Sequence, residues 1–191
     1  MSNSDNVFFR NLREHIKLMQ NIGGLFDVVE EASKRMADAI QSGGRVFFCG
    51  NGGSAADAQH LAAELSCRYL KDRRPLDGIA LHCNTSAMTA ISNDYSYDDV
   101  FSRQLAAHGR TGDVLVAIST SGNSINVLKA AETAKEVGMT VIGMTGAGGG
   151  RLKDSSDIIV AVPSNCTPRI QEAQIFIGHV MCEMIETACC R

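Results

Sequence analysis

From residue 43 onward, short apolar runs recur, and most stop at Gly, Ser or Asn before a stretch with helical spacing. The runs are Arg45–Cys49, Ile79–Leu81, Val114–Ile118, Thr140–Met144 and Ile158–Val162. Between and after them, Ser54–Leu70, Thr85–Ile91, Asp98–Ala107, Ile125–Val137 and Pro168–Cys189 read as helices. A strand that is apolar at every position is buried on both faces, as in a parallel sheet covered by helices. The alternation therefore predicts an α/β fold with a five-stranded parallel, doubly wound sheet. In such sheets ligands bind beyond the carboxyl ends of the strands. Two polar loops are expected there, Gly50–Ser54 and Ser119–Ser124.

Ahead of the sheet, residues 5–42 read as two helices broken near Gly23-Gly24, the second with a stripe of Phe26, Val29, Met36, Ala39 and Ile40. Gly43-Gly44 closes it, giving an N-terminal helical arm over 1–42, part of the same fold, and the sheet domain over 43–191. Composition removes several functions. A net charge of −3 argues against nonspecific binding to nucleic acid, which needs a basic face. There is no run of about 18 apolar residues to cross a membrane. Met1–Glu14 is polar and lacks the apolar core of a secretory signal, so none is expected. The 7 cysteines are odd in number and form no CxxC pair. That suits reduced thiols and a cytoplasmic protein rather than a disulfide framework or a zinc knuckle.

The first loop runs Gly50-Asn51-Gly52-Gly53-Ser54 from strand into helix. Glycines let the backbone approach an anion, and a helix start offers free N–H groups. Gly50-x-Gly52-x-x-Ala55 also fits a dinucleotide fingerprint, but that motif needs an acid at the end of the second strand, and His82-Cys83-Asn84 stands there. NAD is excluded on that ground. The second loop holds Ser119, Thr120, Ser121 and Ser124 within six residues, ahead of a helix. Four hydroxyls exceed what a helix cap needs, so a phosphate site is expected, with simple capping as the alternative. No GxxxxGK[ST] occurs, which rules out an NTPase P-loop.

His60 and Glu64 lie at i,i+4 on one face of the helix after the first loop, among Leu61, Ala62, Ala63 and Leu65. On a largely buried helix such a pair is costly unless it is hydrogen-bonded, liganded or catalytic. The last helix adds Arg169, Gln171, Glu172 and His179 to an otherwise apolar surface, which is expected to cover the sheet or a second subunit, with His179 buried. Asn93-Asp94 follows a helical stretch and reads as a turn. His15, His82 and His108 receive no role.

In order along the chain, Cys49-Gly-Asn-Gly-Gly-Ser-Ala-Ala-Asp-Ala-Gln-His60, Ala63-Glu-Leu65, Ile91-Ser-Asn-Asp94, Phe101-Ser-Arg-Gln104, Ile118-Ser-Thr-Ser-Gly-Asn-Ser124 and Arg169-Ile-Gln-Glu172 resemble the sugar isomerase (SIS) family, in particular its phosphoheptose isomerase branch. The resemblance covers nearly the whole chain. It implies a flavodoxin-like SIS sheet, a homotetramer with sites between subunits, and conversion of sedoheptulose 7-phosphate to D-glycero-D-manno-heptose 7-phosphate for bacterial lipopolysaccharide or capsule. By the same resemblance, Asn51, Gly52, Gly53 and Ser54 line the sugar phosphate, and Ser119, Thr120, Ser121 and Ser124 hold its phosphate. Asn93, Asp94, Glu64 and Gln171 contact the sugar, and Glu64 and His179 transfer protons. One zinc per subunit is implied on His60, Glu64, Gln171 and His179.

A carboxylate and an imidazole suit aldose–ketose isomerisation, which moves a proton between adjacent carbons through an enediol. Gln171 and His179 are about 12 Å apart along a continuous helix. One ion joins them only if both side chains reach toward each other or the ligands come from different subunits. Two rival readings remain: a noncatalytic SIS protein of the replication-initiation regulator type, which lacks the Glu64 and His179 equivalents, and an isomerase or sensor of another phosphosugar. A sensor is expected to carry a DNA-binding module, for which the 191 residues leave no room.

Overall fold

The computed structural model describes residues 6–190; residues 1–5 and 191, at the outer ends of the two expected segments, lie outside the described part. Five strands form one parallel sheet: β1 (Val46–Gly50), β2 (Gly78–Ala80), β3 (Val114–Ile118), β4 (Thr140–Thr145) and β5 (Ile158–Ala161), in the order β2-β1-β3-β4-β5. Every residue of β1 and β3 is buried, as their unbroken apolar runs require. The helices are α1 (Val7–Asn21), α2 (Phe26–Gln41), α3 (Gly53–Ser66), α4 (Thr85–Asp94), α5 (Ser102–His108), α6 (Ile125–Val137), α7 (Leu152–Ser155) and α8 (Thr167–Cys189).

Strand alternation divides the core into two layers. Val46, Phe48, Val116, Ile118, Ile142 and Val160 pack with Met36 and Ile40 of α2, Leu61 and Leu65 of α3, and Ile177 and Met181 of α8. On the other face Phe47, Cys49, Leu115, Ala117 and Val141 meet Leu105 of α5, Val127 and Ala131 of α6, and Leu152 of α7. A helix layer on each face is the doubly wound arrangement. The strand order puts β1 beside β3, with the chain departing in opposite directions from that pair. The crevice beyond their carboxyl ends is therefore the topological switch point, flanked by the loops after β1 and β3.

Several boundaries differ from the sequence expectation. α3 ends at Ser66, not Leu70, because the next residues are captured by a distant carboxylate described below. Leu81 belongs to a 3-10 turn rather than to β2. The helix expected over 98–107 is a 3-10 turn at Tyr97–Asp99 followed by α5. α4, capped by the Asn84 side chain on the Ala87 N–H, continues through Asn93 and Asp94. His15, given no role from sequence, bonds Glu172 Oε2 through Nδ1 at 2.8 Å, and Arg169 donates to the Asn11 carbonyl at 2.6 Å, so α1 is clipped to the start of α8. All 7 cysteines are unpaired. Among the described residues no helix is long and apolar enough to cross a membrane.

Candidate active site

The loop after β1 turns at Asn51-Gly52 directly into α3, whose N-terminus carries no side-chain cap. The Asn51 side chain makes three bonds: its Nδ2 donates to Asn126 Oδ1 at 2.8 Å, and its Oδ1 accepts from Asn126 Nδ2 and from the Tyr97 hydroxyl, each at 2.9 Å. These bonds tie the first loop to α6 and to the α4–α5 segment. Asn51 thus has its side-chain carbonyl oxygen occupied, while the second Nδ2 hydrogen and the backbone can serve a ligand. Ser54 is buried, and Gly53 lies under the Gln171 amide so closely that a Cβ there would sit 2.4 Å from Nε2.

In the second loop, Ser124 is the N-cap residue of α6 but makes no side-chain capping bond. Its hydroxyl turns instead to Ser119 Oγ at 3.1 Å, and Ser121 Oγ lies 3.5 Å from Ser119 Oγ. Capping of α6 therefore does not account for Ser124, while Ser121 Oγ also accepts from the Asn123 N–H at 3.1 Å. Three hydroxyls converge beside a helix N-terminus whose first N–H groups lack a side-chain partner, an arrangement suited to an anion. Thr120 is half-buried between them, and its carbonyl accepts from the Gly146 N–H at 3.0 Å.

His60 and Glu64 of α3 face His179 of α8. The ligand-type atoms of the three all lie within 4.8 Å of one another. His60 Nε2 is 2.9 Å from His179 Nε2 and 3.3 Å from Glu64 Oε1. Gly178 explains how α8 comes so near: a Cβ there would lie 2.6 Å from Leu61 of α3. The neighbouring side chain is consequently carried to the His60–Glu64 face. Two imidazoles and one carboxylate form a donor set that suits zinc. They equally form an acid–base cluster. Gln171 sits two turns earlier on α8, against Gly53.

The burial expectation for this group needs correction. His60 is exposed, and Glu64 and His179 are only half-buried. Leu61 and Leu65 turn to the sheet, and each helical residue rotates about 100°, which leaves positions 60 and 64 on the side of α3 away from the core. The cluster is open to a ligand rather than sealed in the core. Asp57, one turn earlier, has a buried Oδ2 without a partner among the described residues, and burial pushes its carboxyl up to about 6 against the lowering effect of His60. A carboxyl raised on folding costs stability while ionised, and the cost fades as pH falls from about 6 toward the unfolded value near about 4. Asp57→Asn should raise Tm by a few degrees in melts at about pH 7.5 and leave it unchanged at about pH 4.

Asn93 and Asp94 are exposed on the last turn of α4 and bond each other, Nδ2 to Oδ1, at 2.8 Å. Among the described residues the structure does not join them to the first loop; the residue of this stretch that reaches it is Tyr97, whose hydroxyl donates to Asn51 Oδ1. Sequence reading missed Tyr97, Asn126, Tyr69, Arg73 and Glu186. Tyr69 lays its ring 5.6 Å from that of His179. Asn126 is a buried polar residue in an apolar helix, which is itself a signal. Glu186 stands seven residues after His179, two turns on the same face, which spacing alone reveals.

Comparison with known proteins shows the family and the fold. The SIS domain family profile matches residues 8–146. A phosphoheptose isomerase of Rhodospirillum rubrum is 57% identical over 169 residues, covering 88% of this chain and 90% of the relative. The structure of the phosphoheptose isomerase from Neisseria gonorrhoeae superposes with TM-score 0.88 at 43% identity, covering 94% of this chain and 97% of that one. A phosphoheptose isomerase from Francisella tularensis gives TM-score 0.93 at 34% identity, covering 98% and 100%.

Proposed function

Given that the chain belongs to the SIS-domain family and is a phosphosugar isomerase of the phosphoheptose isomerase group, we propose that it converts sedoheptulose 7-phosphate to D-glycero-D-manno-heptose 7-phosphate through an enediol. The observation that carries this reading is the meeting of Glu64 and His179, from two helices, in a cluster open to solvent. One group takes the proton from the carbon beside the carbonyl and the other serves the carbonyl oxygen. A single carboxylate–imidazole pair acts over both adjacent carbons, since the enediol keeps the sugar in one place while the proton moves.

The phosphate is held by the hydroxyls of Ser119, Thr120, Ser121 and Ser124 with the N-terminus of α6. Gly52, Gly53 and Ser54, with the Asn51 backbone and the Gln171 amide, line the sugar, and Asn93 and Asp94 take its hydroxyls. Keeping the anion on the second loop and the proton chemistry on α3 and α8 lets binding and turnover be separated by mutation. His60, Glu64 and His179 would hold one zinc; Gln171, two turns away on the same continuous helix and seated against Gly53, would join the set only from a second subunit, and the bound ion would supply Lewis-acid polarisation of the sugar oxygens.

The N-terminal helices over 1–42 and the sheet over 43–191 are read as one folding unit, a view supported by the core that α2 shares with β1 and α8. The assembly is read as a homotetramer. Val7, Phe8, Phe9, Leu12 and Ile16 leave an apolar stripe exposed on α1, and such a stripe is ordinarily covered. Residence in the cytoplasm is supported by the seven unpaired thiols, and the product is assigned to heptose for lipopolysaccharide or capsule.

The test is turnover of sedoheptulose 7-phosphate by purified protein, with chelator and with added zinc. Activity lost to chelator and restored by zinc is the expected result. Turnover indifferent to metal would keep the isomerase and leave the cluster as an acid–base group. No turnover by folded protein under either condition would move the assignment to another phosphosugar or to partner binding.

A further inference from the structure

Glu186 is the most completely satisfied carboxylate among the described residues, and nothing in the proposed chemistry uses it. It lies on α8 with 1% of its surface exposed. Its Oε1 accepts from the Tyr69 N–H at 3.1 Å and from Arg73 Nε at 3.0 Å, and its Oε2 accepts from the Leu70 and Lys71 N–H groups at 3.0 and 2.9 Å. Burial alone would raise its pKa, but the three backbone N–H groups and Arg73 outweigh that and hold it below the ordinary carboxylate range. Arg73 is equally buried, with 3% of its side chain exposed. Its other nitrogens donate to carbonyls left open by the end of α3: Nη2 to Glu64 O at 2.9 Å, and Nη1 to Leu65 O at 2.8 Å.

A desolvated ion pair is a poor device for stability alone, since apolar residues of the same volume often serve as well. What it adds is a fixed geometry. Here that geometry joins the two reacting side chains. Arg73 holds the backbone of Glu64 itself, and Glu186 shares α8 with His179, two turns away. The segment between them carries Tyr69, whose N–H is held by Glu186 and whose ring rests 5.6 Å from His179. The Gly178–Leu61 contact sets how near α3 and α8 come at one level, and the Glu186–Arg73 pair sets it again two turns further on.

We infer that Glu186 and Arg73 are positioning residues for isomerisation: by locking residues 67–73 between α3 and α8, they fix the placement of Glu64 relative to His179. The inference rests on the reading of Glu64 and His179 as the proton-transfer pair. Neither positioning residue touches substrate. Without them the apolar faces of α3 and α8 still pack, but the reacting groups drift, and a displacement near 1 Å costs about 10²-fold in rate.

The experiment is steady-state kinetics on sedoheptulose 7-phosphate for Glu186→Gln, Glu186→Asp and Arg73→Lys, with competitive inhibition by inorganic phosphate and circular dichroism on each. The expected result is a kcat lowered about 10- to 100-fold in Glu186→Gln and Arg73→Lys. KM and the phosphate inhibition constant should stay within about threefold, and Glu186→Asp should recover part of kcat because it keeps the charge. A wild-type kcat in any folded Gln or Lys variant overturns the inference. So does a loss that appears equally in KM and phosphate binding, or failure of all three variants to fold, since either marks the pair as a stability element only. Glu64→Gln and His179→Gln are run beside them. If those two retain activity, the proton-transfer reading fails; if they are inactive while Glu186→Gln and Arg73→Lys are unimpaired, only this inference fails.

Discussion

Glu64→Gln and His179→Gln should each lose about 10²- to 10⁴-fold in kcat while still binding the phosphosugar. That range corresponds to about 3–5 kcal/mol of transition-state stabilisation. The amide keeps the size of the carboxylate but cannot take a proton, and Gln in place of His179 keeps a polar atom but no titratable nitrogen. Binding should survive because the hydroxyls of Ser119, Ser121 and Ser124 sit on a different element, at the start of α6. Both side chains are partly open to solvent, so neither substitution opens a cavity in the core. Calorimetric titration with sedoheptulose 7-phosphate, beside the rate assay, separates the two effects. Undiminished turnover in either variant would remove that residue from the mechanism.

Gly122→Ala should damage the second loop more severely than any serine substitution. Gly122 adopts φ +66°, and a Cβ there would lie 2.0 Å from the Gly149 carbonyl oxygen. The backbone of the Gly146–Gly150 loop cannot rotate aside like a side chain. It is bonded to the same loop, with the Leu152 N–H on Gly122 O at 2.9 Å and the Gly146 N–H on Thr120 O at 3.0 Å. Left-handed strain and overpacking together cost about 2–5 kcal/mol. That should lower Tm by roughly 5–15 °C. The displaced loop separates Ser119 from Ser124, so affinity for inorganic phosphate should fall by about tenfold or more. Gly43→Ala is the control: φ there is +82°, but nothing lies within 4 Å of the added Cβ, so only the strain of about 1 kcal/mol applies. Equal Tm losses in the two variants would show that the Gly149 contact is not what constrains the loop.

The elements legible in the sequence are those whose signal is local. β3 and α6 fall at Val114–Ile118 and Ile125–Val137, as read, because an unbroken apolar run marks the strand and Gly138, at φ +88°, stops the helix. The end of α3 was not legible. Ser66–Leu70 continues a helical apolar spacing, and the helix stops where it does because Glu186, more than a hundred residues away, takes the N–H groups of residues 69–71. The i,i+4 relation of His60 and Glu64 was readable from spacing, but their exposure was not, since the surrounding leucines suggested burial. Asn51 lies in the loop at the carboxyl end of β1, as its sequence position indicates, yet its side chain bonds Asn126 and Tyr97, partners that no spacing rule connects to it.

By itself the sequence determined an α/β chain with a parallel sheet and two polar loops at the carboxyl ends of β1 and β3. Apolar runs, glycine stops and helical spacing are local statements about each segment, and they survive whatever the segments pack against. Only the tertiary structure decided the strand order that sets β1 beside β3 and makes neighbours of two loops separate in sequence. It alone brought His179 to His60 and Glu64, through a helix crossing narrow enough to need Gly178 against Leu61. It alone turned Ser124 away from capping its own helix toward Ser119. Each of these depends on how two elements distant in sequence approach each other, and that is set by the packing of whole layers rather than by any one segment's residues.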